Sequence, residues 1–515
     1  MSGSKFAEAL VAWNKKKGNS ELHYHVVQLN PEKSKHLETA TMRLGKFEVD
    51  FVQLRSEQYT SSSRIPEITF GTPLEDALRR DLTINSLFFN INTREVEDFT
   101  GRGLEDLQQG IVCTPLPALV TLQDDPLRAL RAVRFASRYN FAVATDLQAA
   151  CRDPTVHCAL TTKVSRERIS KEVSEMLAHP SAPVRAIPLL YRLQLLPLVI
   201  ACPTPQALYD TSGVALTDAG CSVDPSNIGS EPLARLGLNL VLASHLVQLH
   251  ARRRGEPVLG GDVENKLFRY AALTCGAHGV TYLSAPPGTN KRPRPVPLEK
   301  HMCLHELHTG NKDADSVSTI QRGAEALLSL LRLLSAALAS EGSDERLWQV
   351  VELDGCPTWG PIGRVRLGMV LRDVGEFFAP ALLLACARLV LEAEAEGDTT
   401  AELIDLVIGW SDGDHNPSIE REGTGGEGKW EKRIDSSLRL ARALEAGVFA
   451  LQLEEEWRRP VPLSGKDIKQ FLTKIPAGPT FTEILNSQTD YHLRHPNCTP
   501  TDIANYLKEK YASFV

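Results

Sequence analysis

The chain contains 515 residues, of which 42% are apolar and 23% charged, and its formal net charge is −7 at pH 7. A chain of this length exceeds one ordinary hydrophobic core, so we expect a globular protein of two to four domains. Its 10 cysteines form no Cys-x-x-Cys pair and are expected to be reduced thiols of an intracellular protein. The negative net charge argues against non-specific coating of nucleic acid but allows a local basic patch. The sequence has no run of about 18 uninterrupted apolar residues, so we expect no membrane span.

The first part of the chain is predicted to form β structure. His23–Leu29 is one candidate strand, and residues 42–54 predict a hairpin that turns at Gly45-Lys46. In the second arm of the hairpin, apolar residues alternate with Glu48 and Asp50, so both carboxylates project from one face. The solvated face of an edge strand explains two such carboxylates without any functional role.

The next two segments differ in character. Residues 56–73 are polar and are predicted to form a mobile loop, whereas Glu75–Phe89 has a helical pattern. Its charged residues Arg79, Arg80 and Asp81 are predicted to face outward.

A short strand is predicted at Arg94–Phe99, and a glycine-containing turn, Gly101-Arg102-Gly103, follows it. Glycine lets a backbone approach a ligand closely. A single Gly-x-Gly pair is weak evidence for binding, because ordinary turns also contain it.

A further helix is predicted to begin at Asp125-Pro126, where the aspartate suits the N-cap and the proline suits the first helical position. Arg128, Arg131, Arg134 and Arg138 recur every three or four residues and form a basic stripe. Such a stripe is often only solvated. Without an interleaved acid on that face the arginines repel one another, which indicates an anionic partner.

From about residue 140 the sequence predicts mostly helix. Long Leu/Ala-rich patterns are expected to pack as a helical body, and they cover Glu231–Arg254, Gly323–Ser340, Phe377–Glu396 and Ile434–Glu456. Residues 203–231 and 286–301 are predicted to be loops, and residues 411–432 a disordered insertion. The basic run at 291–294 in the second loop suits contact with an RNA backbone or a solvated position equally well.

Several stretches of the sequence resemble the class II tRNA nucleotidyltransferases of eukaryotic type, which are the CCA-adding enzymes. The stretches are Leu29–Thr41, Glu48–Arg55, Phe70–Asn90, Asp98–Leu107, Asp124–Ala136 and Ser165–Leu177. The resemblance is specific over residues 1–195, weakens in the helical body and returns faintly at residues 462–491.

This resemblance implies an α+β fold. A partial nucleotidyltransferase head, with a mixed β-sheet and helices, would be followed by a mostly α-helical neck, body and tail. The implied domains are a head at 1–115, a neck at 116–200, a body at 201–460 and a tRNA-binding tail at 461–515.

The resemblance also assigns nucleotide-binding residues. The motif that holds ribose and triphosphate corresponds to Arg79, Arg80, Asp81 and Asn85. Further nucleotide-binding positions are Asp124, Asp125, Arg128, Arg131 and Arg134. Of these, Asp125 and Arg128 match the pair that reads the Watson–Crick edge of CTP and then ATP. A carboxylate accepts from an exocyclic amine, and a guanidinium donates to ring nitrogen and carbonyl oxygen.

Two other parts of the family's machinery are implied. The flexible element that couples head to neck corresponds to Asp98, Gly101, Gly103 and Asp106. The family binds two Mg²⁺ ions through an Asp-x-Asp pair upstream of all these motifs, and residues 1–6 resemble the segment just after it, so we expect a chain truncated before that pair. Asp50 resembles the third acidic residue, the one catalytic and metal-binding position assigned, and one carboxylate is not expected to hold two ions.

The function that the resemblance implies is template-independent addition of CCA to tRNA 3′ ends, with CTP and ATP as substrates and the tRNA acceptor arm and elbow as partner. A poly(A)-polymerase-type enzyme with the same head and a catalytically inactive tRNA-binding protein remain alternatives. We expect an intracellular monomer in the mitochondrion, the cytoplasm or the nucleus, with no membrane partner.

Overall fold

A computed structural model describes most of the chain. The described residues are 2–19, 22–27, 39–60, 63–203, 208–210, 215, 227–259, 265–284, 294–341, 350–353, 356–359, 363–392, 399–412, 427–476 and 478–514. Contacts divide the chain into two compact units: Met1–Met176 with Arg192–Leu198 form unit 1, and Leu177–Tyr191 with Val199–Val515 form unit 2. The finer division into head, neck, body and tail stays a prediction.

Unit 1 combines short strands with helices. Its strands are β1 Tyr24–Val27, β2 Thr39–Leu44, β3 Phe47–Phe51, β4 Arg55–Thr60, β5 Ser63–Phe70, β6 Phe88–Asn90, β7 Glu95–Glu97, β8 Ile111–Val112 and β9 Ala142–Val143. Helices up to residue 178 are α1 Gly3–Lys16, α2 Pro73–Leu78, α3 Gly103–Gln109, α4 Ala118–Asp124, α5 Leu127–Tyr139, α6 Thr145–Cys151, α7 Pro154–Lys163 and α8 Arg166–Ala178.

The first sheet of unit 1 has the antiparallel order β1-β2-β3. The predicted hairpin is confirmed, because β2 and β3 pair in register and Gly45 takes the left-handed conformation, φ +62°, at the turn. Helix α1 covers this sheet, and Ala7, Ala40 and Met42 form a small buried core between them. One face of β3 is left to carry Glu48 and Asp50, both exposed.

The loop predicted at residues 56–73 is wrong. Strands β4 and β5 form an antiparallel hairpin here, with Arg55 opposite Phe70 and Ser56 opposite Thr69. The two strands supply hydrogen-bond partners for each other's backbone. This pairing does not require alternating apolar side chains, so the polar sequence did not predict it.

The continuous helix predicted over Glu75–Phe89 is also wrong. Helix α2 ends at Leu78, a 3₁₀ turn follows at Thr83–Asn85, and β6 then pairs antiparallel with β7. The Ser86 hydroxyl donates to the carbonyl of Ala77 at 3.0 Å and so fixes the fold-back of the chain. Tertiary bonds of this kind override local helical preference.

The later part of the chain is mostly helical. Its helices are α9 Ile187–Arg192, α10 Leu196–Val199, α11 Ser230–Arg253, α12 Lys266–Leu273, α13 Leu298–His301, α14 Asn311–Glu341, α15 Gly363–Val374, α16 Phe378–Leu391, α17 Thr399–Asp412, α18 Glu427–Ala450, α19 Gly465–Phe471, α20 Pro479–Arg494 and α21 Pro500–Lys510. Its strands are β10 Leu208–Tyr209, β11 Thr281–Ser284, β12 Arg294–Pro297, β13 Val350–Leu353 and β14 Cys356–Trp359. The α+β class is confirmed.

The four long helical patterns predicted for the body are confirmed as α11, α14, α16 and α18. Helix α16 is buried along most of its length and contacts α11, α14 and α18. The C-terminal helices α19 to α21 enclose a core of their own, which includes Ile468, Ile484 and Ile503.

The segments predicted to interrupt the helical body are partly structured. Residues 203–231 contain β10 and the start of α11, and residues 286–301 contain β12 and α13, while Lys291, Arg292 and Pro293 lie outside the described residues. The predicted disordered insertion 411–432 is helical at both ends, because α17 continues to Asp412 and α18 begins at Glu427. Residues 413–426 lie outside the described part.

By length and composition, one stretch within the described ranges, Gly363–Leu391, is apolar enough to cross a membrane. More than half of its most apolar 18-residue window is buried inside unit 2, as expected for a core helix, and a 3₁₀ turn at Gly375–Phe377 separates its two helices. The stretch is therefore weak evidence for a membrane span.

Candidate nucleotide-binding site

The nucleotide-binding residues predicted around Asp81 and on α5 come together within unit 1. The Asp81 carboxylate accepts from Arg131, with Oδ2 2.7 Å from Nε, and its Oδ1 accepts from the amide of Leu82 at 3.0 Å and from Asn85 Nδ2 at 3.2 Å. Asp81 is only 9% exposed. The prediction that Asp81 faces solvent is therefore wrong, and this carboxylate links the turn after α2 to α5.

The arginines of α5 have acidic partners that lie on another helix. Arg134 Nε lies 2.6 Å from Glu172 Oε2 and Arg134 Nη1 lies 2.7 Å from Glu175 Oε2. Glu172 also lies 3.4 Å from Arg131. The prediction of a self-repelling stripe is wrong for Arg131 and Arg134, because α8 supplies the carboxylates that α5 lacks.

The two residues predicted to read the base, Asp125 and Arg128, are each held by a neighbour. Asp125 Oδ1 accepts from the amide of Leu127 at 3.2 Å and Oδ2 accepts from Arg168 Nη2 at 3.1 Å. Arg128 is 8% exposed and donates from Nη2 to the carbonyl of Arg79 at 2.6 Å. Bonds of this kind restrict the rotamers of both side chains before any ligand arrives.

The start of α5 differs by one residue from the prediction. Helix α5 begins at Leu127, so Pro126 immediately precedes the helix and is not its first residue. Asp125 therefore lies one residue before the N-cap, and the prediction that it is the N-cap is wrong, although its carboxylate accepts from the amide of Leu127. Asp124 is the last residue of α4 and is half-buried.

A second ionic cluster centres on Asp76, which is 1% exposed in α2. Its Oδ1 accepts from Arg79 Nε at 2.9 Å and from the amide of Arg55 at 3.2 Å, and its Oδ2 accepts from Arg80 Nη2 at 2.9 Å. Burial acts to raise the pKa of Asp76, but the two guanidinium groups and the amide outweigh burial and hold that pKa below its ordinary value. Arg79 and Arg80 therefore do not point freely into solvent.

The predicted head–neck element, Asp98 to Asp106, is a tightly bonded turn leading into α3. Asp98 accepts from the amides of Thr100 and Gly101, each at 3.1 Å, and from the amide of Leu104 at 3.0 Å. Burial acts to raise the pKa of Asp98, but these bonds and one from the Thr100 hydroxyl lower it overall.

The glycines and Asp106 complete this turn. Gly101 has φ +74°, and a Cβ on Gly103 would lie 2.8 Å from the Thr83 carbonyl. Asp106 accepts from the Thr83 hydroxyl at 2.6 Å and from Arg102 Nη2 at 3.0 Å. The element is thus joined to the 3₁₀ turn that carries Asn85.

Asp50, predicted as the catalytic and metal-binding residue, lies apart from these clusters in its contacts. Its exposed carboxylate accepts from the Thr41 hydroxyl at 2.7 Å. Within the described ranges, no group of three or more His, Cys, Asp or Glu residues is arranged to hold a metal ion. A Mg²⁺ ion needs several oxygen ligands, so the residues described around Asp50 do not by themselves fit the two-ion site that the resemblance implies.

Sequence reasoning missed several residues of this site. They are Asp76, Thr83, Arg102, Arg168, Glu172 and Glu175. A signal was available for three of them, since Arg168, Glu172 and Glu175 recur at helical spacing in the motif at 165–177 and so share one face of α8.

The N-terminal part of the chain is similar to known proteins. Residues 1–113 match the family model described as the poly A polymerase head domain. The mitochondrial CCA tRNA nucleotidyltransferase of Saccharomyces cerevisiae is 52% identical over 199 residues, which are 38% of this chain and 36% of that protein. A tRNA nucleotidyltransferase of Schizosaccharomyces pombe is 47% identical over 180 residues, covering 35% of this chain and 36% of that protein.

Two further comparisons are weaker. Poly(A) polymerase I of Salmonella typhi is 34% identical over 110 residues, which are 21% of this chain and 23% of that protein. A solved apo structure of a CCA-adding enzyme aligns with a TM-score of 0.49 and 15% identity, over 100% of this chain and 85% of that chain. Structural similarity at that level establishes no common function.

The chain spans about a third of the length of the fungal relatives, 36% in both cases. The resemblance to tRNA nucleotidyltransferases is confirmed over the part that matches them. Residues 1–113 match the poly A polymerase head domain model, and 199 residues of the chain are similar to a CCA tRNA nucleotidyltransferase.

Proposed function

We propose that this chain acts in the template-independent addition of CCA to tRNA 3′ ends, with CTP and ATP as its nucleotides. The observation that carries the proposal is the 52% identity to a CCA tRNA nucleotidyltransferase over 199 residues. Asp125 and Arg128, three residues apart at the start of α5, support it, because an acceptor near a donor suits the base edges of cytosine and adenine.

In this proposal Asp125 accepts a hydrogen bond from the exocyclic amine that CTP and ATP share, and Arg128 donates to the adjacent ring nitrogen. Arg168 holds Asp125 and the Arg79 carbonyl holds Arg128. Pre-orientation of this kind lowers the cost of ordering the side chains on binding. UTP and GTP present a carbonyl where CTP and ATP present the amine, so the Asp125 carboxylate would face another acceptor.

The triphosphate would compete with protein carboxylates for the arginines. Six arginines and five carboxylates form the site, so its net charge is +1. The arginines are Arg79, Arg80, Arg128, Arg131, Arg134 and Arg168, and the carboxylates are Asp76, Asp81, Asp125, Glu172 and Glu175. Glu175 is the most exposed of these carboxylates, with 45% of its side chain accessible. Water can hydrate this carboxylate after it loses Arg134, so a phosphate oxygen displaces it at a lower free-energy cost than the buried carboxylates.

Mg²⁺ neutralises phosphate charge and activates the primer hydroxyl in nucleotidyl transfer when it is bound. Because the described residues around Asp50 do not fit a two-ion site, no chemical step is assigned to them. The roles proposed for this chain's residues are nucleotide binding and nucleotide selection.

Primer extension tests the proposal. The purified chain is offered a tRNA transcript that lacks its 3′-terminal CCA, together with Mg²⁺ and all four nucleoside triphosphates. Addition of C, C and then A supports the proposal. Runs of A support a poly(A)-type polymerase, for which the 34% identity to poly(A) polymerase I over 110 residues is the motivating observation. Binding of the tRNA without incorporation supports a tRNA-binding protein.

The partners and compartment follow the same reasoning. We propose tRNA as the macromolecular partner and a monomeric state, with the acceptor arm and elbow as the parts of tRNA contacted. The fungal relatives named mitochondrial support a mitochondrial location, and cytoplasm and nucleus stay predictions.

A further inference from the structure

A group of positively charged side chains gathers in unit 2, where α15 packs against α20 and against the short turn Glu456–Arg458. Arg364 and Arg372 lie eight residues apart on α15 and fall on one side of that helix. Arg459 directly follows the turn. None of these residues takes part in the nucleotide site of unit 1.

One buried carboxylate faces this group. Glu456 is 1% exposed, and its Oε1 accepts from Arg372 Nε at 2.9 Å. Its Oε2 lies 3.4 Å from Arg459 Nη1 and has no hydrogen-bond partner among the described residues. One carboxylate therefore serves the three arginines, Arg364 included, and a net charge of +2 remains in a largely desolvated place.

Arg364 is the least compensated member of the group. It is 9% exposed and lies in the first turn of α15, where the helix dipole is positive and disfavours a cation. Its Nη1 donates to the carbonyl of Leu451, but its Nε has no partner among the described residues. Burial lowers the pKa of Arg364, and Arg459 lowers it further against the opposing effect of Glu456. A buried guanidinium with a spare donor at a positive helix end is complemented by an anion.

We propose that Arg364, Arg372 and Arg459, named here the α15 arginine site, bind a phosphate group. The planar donors of guanidinium groups match phosphate oxygens, whether these belong to a free phosphate ion or to a phosphodiester. Arg459 has 46% of its side chain accessible and so provides the entrance. The phosphate comes either from a free phosphate ion or from an RNA phosphodiester. The proposal does not rest on the activity proposed above.

A purely structural role is the competing explanation, because the bond from Arg364 to the Leu451 carbonyl satisfies a group just beyond the end of α18. Thermal unfolding of the full chain separates the two explanations. The melting temperature in inorganic phosphate is compared with that in chloride at equal ionic strength. The comparison is made for the unaltered chain, for Arg459→Gln and for Arg458→Gln. Arg458 is the matched control, since it is adjacent, 62% exposed and paired with Glu455.

The proposal predicts that phosphate raises the melting temperature of the unaltered chain and of Arg458→Gln by about 2 to 4 °C at saturation. Arg459→Gln should lose at least half of this response, and Arg459→Lys should retain more of it than Arg459→Gln. Phosphate bound at the nucleotide site contributes equally to all variants and cancels in the comparison. Equal responses in Arg459→Gln and Arg458→Gln would overturn the proposal.

The salt dependence of tRNA binding then distinguishes the two sources of phosphate. If RNA supplies the phosphate, Arg459→Gln reduces the slope of log affinity against log salt by about 1 for a transcript lacking CCA, and Arg458→Gln leaves the slope unchanged. If Arg459→Gln loses the phosphate response while its tRNA affinity matches that of Arg458→Gln, the site takes free phosphate.

Discussion

The Oδ2 atom of Asp81 lies 2.7 Å from Nε of Arg131, and this ion pair joins the turn after α2 to the middle of α5. The two residues are 50 positions apart in the chain. Their contact places the motif predicted to hold the triphosphate beside the helix predicted to read the base.

Replacing Asp81 with Asn should therefore weaken both folding and nucleotide binding. Asn keeps the size of the side chain but leaves Arg131 without the full charge of its partner, so we expect a loss of about 1 to 2 kcal/mol in the free energy of unfolding. Urea unfolding measures this loss. Glu105→Gln is the control, because Glu105 is exposed on α3 and bonds to Gln109. A loss no larger than that of the control would show that the ion pair is not structural.

Glu175→Gln should change nucleotide affinity in the opposite direction. Arg134 loses an acidic partner and can turn to a phosphate oxygen, so we expect CTP to bind about 3-fold to 10-fold more tightly. Isothermal titration of CTP measures the change, again beside Glu105→Gln. Unchanged or weaker binding would mean that Arg134 does not contact the triphosphate.

Adding a side chain to the two glycines at the start of α3 should destabilise the fold, for two different reasons. In Gly103→Ala the added methyl would meet the Thr83 carbonyl at 2.8 Å, and we expect a loss of about 1 to 3 kcal/mol in unfolding free energy. In Gly101→Ala the space is open but φ is +74°, and we expect about 1 kcal/mol. Gly428→Ala in α18, which meets nothing within 4 Å, should be neutral or stabilising. Equal stability of all three variants would contradict the described turn.

Asp76 should contribute to stability in a pH-dependent way. Its folded-state pKa lies below the ordinary value of 3.8, so its contribution is fully present above pH 3.8 and is lost as pH falls through the lower folded-state pKa. The difference in unfolding free energy between the unaltered chain and Asp76→Asn should be about 2 kcal/mol near neutral pH and should shrink as pH falls below about 4. A difference that stays constant down to pH 2.5 would contradict the depressed pKa.

Patterns of apolar and turn residues in the sequence correctly predicted those helices and hairpins whose structure depends mainly on residues close together in the chain. The β2–β3 hairpin follows from a glycine turn between alternating strands, and α11 and α16 follow from long Leu/Ala-rich runs. The helix predicted at Asp125-Pro126 is present as α5 but begins one residue later than predicted, at Leu127.

Long-range contacts account for most of the errors. The helix predicted over Glu75–Phe89 is broken because Asp81 and Ser86 make specific bonds, including the contact to Arg131 fifty positions later. The anionic partners inferred for the α5 arginines include Asp81 for Arg131, and Glu172 and Glu175 on α8 for Arg134; Glu172 follows Arg134 by 38 residues. Helical spacing places Glu172 on one face of α8, but it does not indicate which helix that face contacts. The family resemblance did assign Asp81, Arg131 and Arg134 to one nucleotide site.

Nucleotide selection by Asp125 tests the central claim most directly. We would titrate the purified chain with CTP, ATP, UTP and GTP and compare the unaltered chain with Asp125→Ala. We expect CTP and ATP to bind at least about 10-fold more tightly than UTP and GTP, and Asp125→Ala to remove most of that preference. Equal binding of all four nucleotides by the unaltered chain, or an unchanged preference in Asp125→Ala, would contradict nucleotide selection by α5.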